Sequence, residues 1–178
     1  MTLQHVNIVF QVIVFLFAIS IHESAHAFTA WRCGDPTAKM LGRVSLNPIR
    51  HIDLFGTVIL PAMALLTHLP VIGWAKPTPV DPRNFSKPMR DDILTSVAGP
   101  VSNFLAASVA VIGMAIIALV SPIEGRGLVH GLAGYGYVGG STSVLVPVTL
   151  LLYWGMVINV LLGGFNLIPV PPLVMALG

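Results

Sequence analysis

The chain has 178 residues, 55% of them hydrophobic and 9% charged, with a mean hydropathy of +0.86. Charged residues make up about a quarter of an ordinary soluble domain, so this composition excludes a water-soluble globule and points to lipid as the solvent. The net charge of +2 does not indicate a nucleic-acid partner: eight of the nine Lys and Arg fall in residues 32–50 and 76–90, beside apolar runs, as in juxtamembrane loops, and no nucleic-acid fold signature accompanies them.

Residues 3–31 are predicted to form a first helix, uncharged over 6–21 and closing on Trp31 and Arg32 at an interfacial end. A secretory signal is the rival reading; the absence of Lys and Arg from residues 1–5 and the length of the apolar run argue against it. Residues 34–50, "GDPTAKMLGRVSLNPIR", break helix at Gly34, Pro36, Gly42 and Pro48, with a short strand expected over "RVSL". The single cysteine, Cys33, excludes an internal disulfide or a cysteine-based zinc site.

Residues 54–72 are long enough to cross a bilayer yet carry Pro61, His68 and Pro70. A full crossing would put the two basic loops on opposite faces, whereas a re-entrant hairpin leaves all eight charges on one face, as the positive-inside rule prefers. The hairpin is the reading adopted. Residues 74–88, with prolines at 77, 79, 82 and 88, are expected to be extended with turns. A long helix over 91–120, a Gly-rich loop over 125–140 and a last helix over 144–166 complete the chain. The expected fold class is an all-α polytopic membrane protein. It has three transmembrane helices plus a re-entrant or fourth helical segment, with short extended segments between, and residues 1–178 form one membrane-embedded domain.

Within the first helix, "SIHESAHAFTAW" places His22, Glu23 and His26 in chain that is otherwise apolar. Residues four apart share a helix face, so two imidazoles can grip one ion, while Glu23 is turned from the pair yet reaches a water on that ion. This is His-Glu-x-x-His, in which zinc acidifies a water and the glutamate takes its proton. Metal, water and mutual contacts make such groups tolerable in lipid. With six His and two Glu in the chain, random shuffling gives the pattern about 0.002 times per chain. The alternative is a buried polar cluster that joins helices. A catalytic zinc usually takes three protein ligands, and the other histidines, His5, His51, His68 and His130, read as solvated or interfacial. Asp53, Asp81 and Glu124 lack supportive spacing.

With this motif on a membrane helix, and with "GWAKPTPVDPRN" at 73–84, "AGPVSN" at 98–103 and "FNLIPVPPL" at 165–173, the chain resembles the site-2 protease family of intramembrane zinc metalloproteases, in its compact bacterial and archaeal form without a PDZ domain. The resemblance runs from about residue 16 to 173. It implies one catalytic zinc held by His22 and His26, Glu23 as the catalytic base, Asn103 near the reacting carbonyl, and Asn166 as the asparagine of the family's Asn-Pro-Asp-Gly region. An interhelical hydrogen bond is the other reading of Asn103, and close packing or a kink the other reading of Gly99 with Pro100. The 74–82 stretch either pairs with an unwound substrate as an added strand or is a plain structural loop.

The family's third zinc ligand is an aspartate eight residues after that asparagine, and here the position is Val174. An aliphatic side chain cannot coordinate zinc. Two explanations stand: a homologue that has lost the metal, or a reading-frame slip after Leu173. A codon string for Val-Met-Ala-Leu-Gly, read from its third base, can encode Asp-Gly-Ser-Arg, which favours the slip. Helix parity adds that a re-entrant 54–72 brings the ends of the first and last helices to one face.

The resemblance implies a zinc-dependent endopeptidase that cleaves single transmembrane segments of membrane-protein substrates. It would lie in a prokaryotic cell membrane with its site towards the cytoplasm. A catalytically inactive pseudoprotease or membrane scaffold is the alternative that Val174 favours. A transporter fits poorly, since the later helices carry no charged or repeat-related partner.

Overall fold

The computed structural model describes residues 3–60, 63, 75–135 and 143–168. Its main elements are helices α1 (Leu3–Arg32), α2 (Thr37–Met40), α3 (Pro88–Val120), α4 (Glu124–Tyr135) and α5 (Leu145–Leu167). Short 3₁₀ turns lie at Pro48–Arg50 and Pro82–Asn84, and a π-helical turn at Leu54–Ile59. Three described segments are long and apolar enough to cross a membrane: Asn7–Arg32 within α1, α3 and α5. A helix satisfies its own backbone polar groups, which hydrocarbon cannot do for it. The protein is an all-α integral membrane protein.

Two compact units divide the chain. The first comprises residues 1–18 and 103–165. Asn103, Ala107, Ala110 and Met114 follow helical spacing along α3 and are buried with Val14 and Ala18 of α1. Lipid tails are as apolar as these side chains, so close approach of small residues and hydrogen bonds supply the packing. An added Cβ on Gly155 would sit 3.6 Å from Ala110 Cβ, and one on Gly113 would sit 3.0 Å from Leu152 Cδ1. Asn103 Nδ2 donates to Asn159 Oδ1 at 2.7 Å and to Ala18 O at 3.3 Å, joining α1, α3 and α5. Trp154 Nε1 donates to Asn7 Oδ1 at 2.7 Å.

The second unit comprises residues 19–102 and 166–178. Helix α1 ends in it with Gly34 at φ 114°, the left-handed conformation that favours glycine. Gly34 N–H bonds Trp31 O at 3.2 Å and Asp35 N–H bonds Ala30 O at 2.9 Å, which closes the last turn. Asp35 is fully buried and collects four donors: Thr37 N–H, Thr37 Oγ1, Asp81 N–H and Asn84 Nδ2. Burial pushes its carboxyl upward, but the hydrogen bonds from Thr37, Asp81 and Asn84 outweigh this and hold it below its ordinary value. The hydrogen bond and charge of Arg83 likewise lower Asp81. Burial, with Asp91 nearby, pushes the Cys33 thiol up.

Four expectations change. The stretch "RVSL" forms no strand: Ser45 N–H bonds locally to Arg43 O, and Ser45 O accepts from the side chains of Ser24 and His51, so no strand partner is engaged. The first eleven residues of the expected Gly-rich loop, 125–135, belong to helix α4, because Leu128 and Leu132, four apart, are both buried and Gly125 lets the chain pass against the Ile117 backbone. Helix α3 begins three residues early, since Pro88 suits a first helical position and Asp91 Oδ2 accepts from Lys87 N–H at 2.7 Å. His51 is buried rather than solvated, at 1% exposure, with Nε2 2.7 Å from Ser45 O. The re-entrant reading of 54–72 depends largely on positions outside the described residues.

Candidate metal centre

One turn of α1 separates His22 from His26, and the rings meet edge to face, with centroids 4.7 Å apart. Their Nε2 atoms converge to 3.0 Å. Two nitrogens on one tetrahedral zinc at about 2.05 Å stand about 3.3 Å apart, so the pair is close to ligand spacing. His26 Nδ1 lies 2.6 Å from Thr95 O. A carbonyl accepts only, so Nδ1 carries the proton and Nε2 keeps its lone pair for an ion.

Gly99 completes the cradle. An added Cβ there would collide with His26 Nε2 and stand 2.6 Å from His22 Nε2, so only glycine admits both converging nitrogens. The hydroxyl of buried Thr95 has no protein partner among the described residues. These residues fit two of the ligands of a zinc ion. Among the described residues no group of three His, Cys, Asp or Glu gathers to hold a metal. Val174 lies outside the described residues.

Glu23 is half-buried beside the pair. Its Oε2 accepts from Thr78 N–H at 3.0 Å and from Thr78 Oγ1 at 2.7 Å. Neither Thr78 nor the Thr95 carbonyl was predicted as part of the site. The only hint of Thr78 is its place between Pro77 and Pro79, which makes it the sole N–H donor of that tripeptide.

The remaining candidates are placed differently. Both amide hydrogens of Asn103 are directed to Asn159 and Ala18, so its observed role is the interhelical one, and an oxyanion role would require breaking those bonds. Asn166 is exposed in the last turn of α5. His130 is exposed on α4, Asp53 caps the π-helical turn by accepting from Phe55 and Gly56 N–H, and Asp81 pairs with Arg83 at 2.8 Å. His68 and the side chain of His5 lie outside the described residues.

The sequence model described as Peptidase family M50 matches residues 10–173. The chain is 36% identical over 162 residues to the Bacillus subtilis protein named "Putative zinc metalloprotease YwhC", covering 91% of this chain and 64% of that one. It is 33% identical over 92 residues to "Putative zinc metalloprotease Rip2" of Mycolicibacterium smegmatis, covering 52% of this chain and 34% of the relative. The chain therefore spans less than two thirds of either relative's length. No solved structure matches it significantly.

Proposed function

Because the chain belongs to peptidase family M50, we propose that it is a zinc-dependent intramembrane endopeptidase of the site-2 protease type. Its substrates are single transmembrane segments of other membrane proteins, cut on the cytoplasmic side of a prokaryotic cell membrane. The observation that carries this reading is the convergence of His22 Nε2 and His26 Nε2 to 3.0 Å over a glycine that alone leaves room for both.

His22 and His26 would hold the ion through Nε2, and the Thr95 carbonyl fixes the His26 tautomer. Bound zinc would supply a Lewis acid that lowers the pKa of water to near neutrality. Glu23 accepts the proton that water loses on attacking the peptide carbonyl, then delivers it to the departing amine nitrogen. The substrate helix must unwind locally, since its own hydrogen bonds shield the scissile carbonyl. Asn166 is assigned to substrate contact by family likeness alone. Asn103 receives no step, because its donors already join helices.

A second reading, a zinc-free pseudoprotease or scaffold, is favoured by the absence of a third ligand among the described residues. Metal analysis of the purified chain with a cleavage assay separates the two. Stoichiometric zinc, lost in His22→Ala, together with cleavage that falls at least about 100-fold in Glu23→Gln, supports the peptidase. A metal-free protein supports the scaffold.

A further inference from the structure

We propose that the strap Pro77-Thr78-Pro79 is a positioning device for Glu23, which clamps Oε2 and leaves Oε1 as the oxygen that exchanges protons. The proposal rests on Glu23 being the general base.

Three observations carry it. First, the strap is fixed on both sides of Thr78. Before it, Lys76 N–H bonds His51 O at 3.0 Å. After it, Asp81 N–H and Asn84 Nδ2 bond the buried Asp35 at 2.8 and 3.0 Å, and Ser86 N–H bonds Cys33 O at 3.1 Å. Secondly, prolines flank Thr78, so its N–H is the one backbone donor the tripeptide offers, and it goes to Glu23 Oε2. The donors of Lys76, Thr78 and Asp81 are thus engaged within the chain, which leaves them no part in pairing with a substrate strand.

Thirdly, two donors meet on one carboxylate oxygen. The Thr78 hydroxyl has a single hydrogen, and its Oγ1 lies 2.7 Å from Oε2 and 3.1 Å from Glu23 O. The charge-assisted bond to the carboxylate is the stronger, so N–H and O–H together occupy the lone pairs of Oε2. Oε1 makes no hydrogen bond among the described residues. The proton lost by water therefore forms its new bond to Oε1, and the same proton later leaves Oε1 for the amine nitrogen, restoring the ionised carboxylate. Fixing the carboxylate plane in advance removes a rotational search from each turnover.

The clamp has a readout that needs no catalysis. Between residues 76 and 80 only Lys76, Thr78 and Val80 carry amide hydrogens, so hydrogen exchange of a 76–80 peptide from the full-length chain in detergent, compared between wild type and Glu23 variants, reads the Thr78 bond. Glu23→Ala is expected to speed exchange of one amide there, and Glu23→Gln to keep most of the protection. In cleavage, Thr78→Val is expected to lower kcat about tenfold with KM and zinc content unchanged. Thr78→Ser should restore kcat to within about twofold, and Thr78→Pro, lacking both donors, should fall below Thr78→Val. Unchanged exchange in Glu23→Ala, or wild-type kcat in both Thr78→Val and Thr78→Pro, overturns the clamp. Glu23-dependent protection in a chain without peptidase activity upholds the hold of Thr78 on Glu23 and overturns the peptidase reading.

Discussion

Residues 1–18 and 103–165 bury small apolar side chains such as Ala18, Ala107 and Ala110 around a polar knot of Asn103 and Asn159, whereas residues 19–102 bury Ser20, His22, Asp35, Arg43, His51, Asp91 and Thr95. In lipid, hiding an alkyl group gains little, so the first region coheres through close backbone approach and a few hydrogen bonds. The second is organised by buried polar groups held in hydrogen bonds, such as those of Asp35, Arg43 and Asp91. Such a network fixes orientation as well as contact. A region of this kind is suited to holding reactive side chains, and the apolar one is suited to spanning.

Glycine substitutions give the largest contrast between the two. Gly99→Ala forces the imidazoles apart and is expected to weaken zinc binding at least about 100-fold, read by competition with a chromophoric chelator. Gly155→Ala meets only ordinary contact with Ala110 and should shift unfolding free energy by less than about 0.5 kcal/mol. Equal effects would remove the distinction.

Asp35→Asn tests the polar network next, with an expected loss of about 2 kcal/mol at neutral pH from weakened charge-assisted bonds. Because the folded carboxyl lies below its ordinary value near 3.8, its contribution is complete above that value and fades as pH falls through the depressed one. The gap in unfolding midpoint between wild type and Asp35→Asn should therefore stay constant from neutrality to about pH 4 and narrow below it. A gap that closes between pH 7 and pH 5 contradicts the assignment.

The smallest effect belongs to the apolar region. Asn103→Leu and Asn159→Leu are each expected to cost about 1 kcal/mol, and the double variant less than the sum, since each single change leaves an amide without its partner. Additive losses would mean that the two amides do not act as a pair.

The long apolar helices and the His22, His26 pair were legible because both depend on local periodicity. The α1 turn alone sets two residues four apart on one side. Helix α4 was hidden by its glycines, whose low helix propensity is overridden by burial of Leu128 and Leu132. The "RVSL" stretch has strand-forming residues but no neighbouring strand, and its carbonyl at Ser45 is taken by side chains. Gly99 carried a signal for close approach, though not for what approaches.

Sequence by itself determined lipid as the solvent, the helical spans and the doublet of imidazoles with its adjacent carboxylate, because composition and a 3.6-residue period require no knowledge of distant chain. Tertiary structure decided that Gly99 makes room for both rings, that the Thr95 carbonyl, 69 residues from His26, sets a tautomer, and that Thr78, 55 residues from Glu23, grips one carboxylate oxygen. Those choices belong to hydrogen bonds between segments far apart in the chain, whose partners are fixed only when the strap and helices have packed.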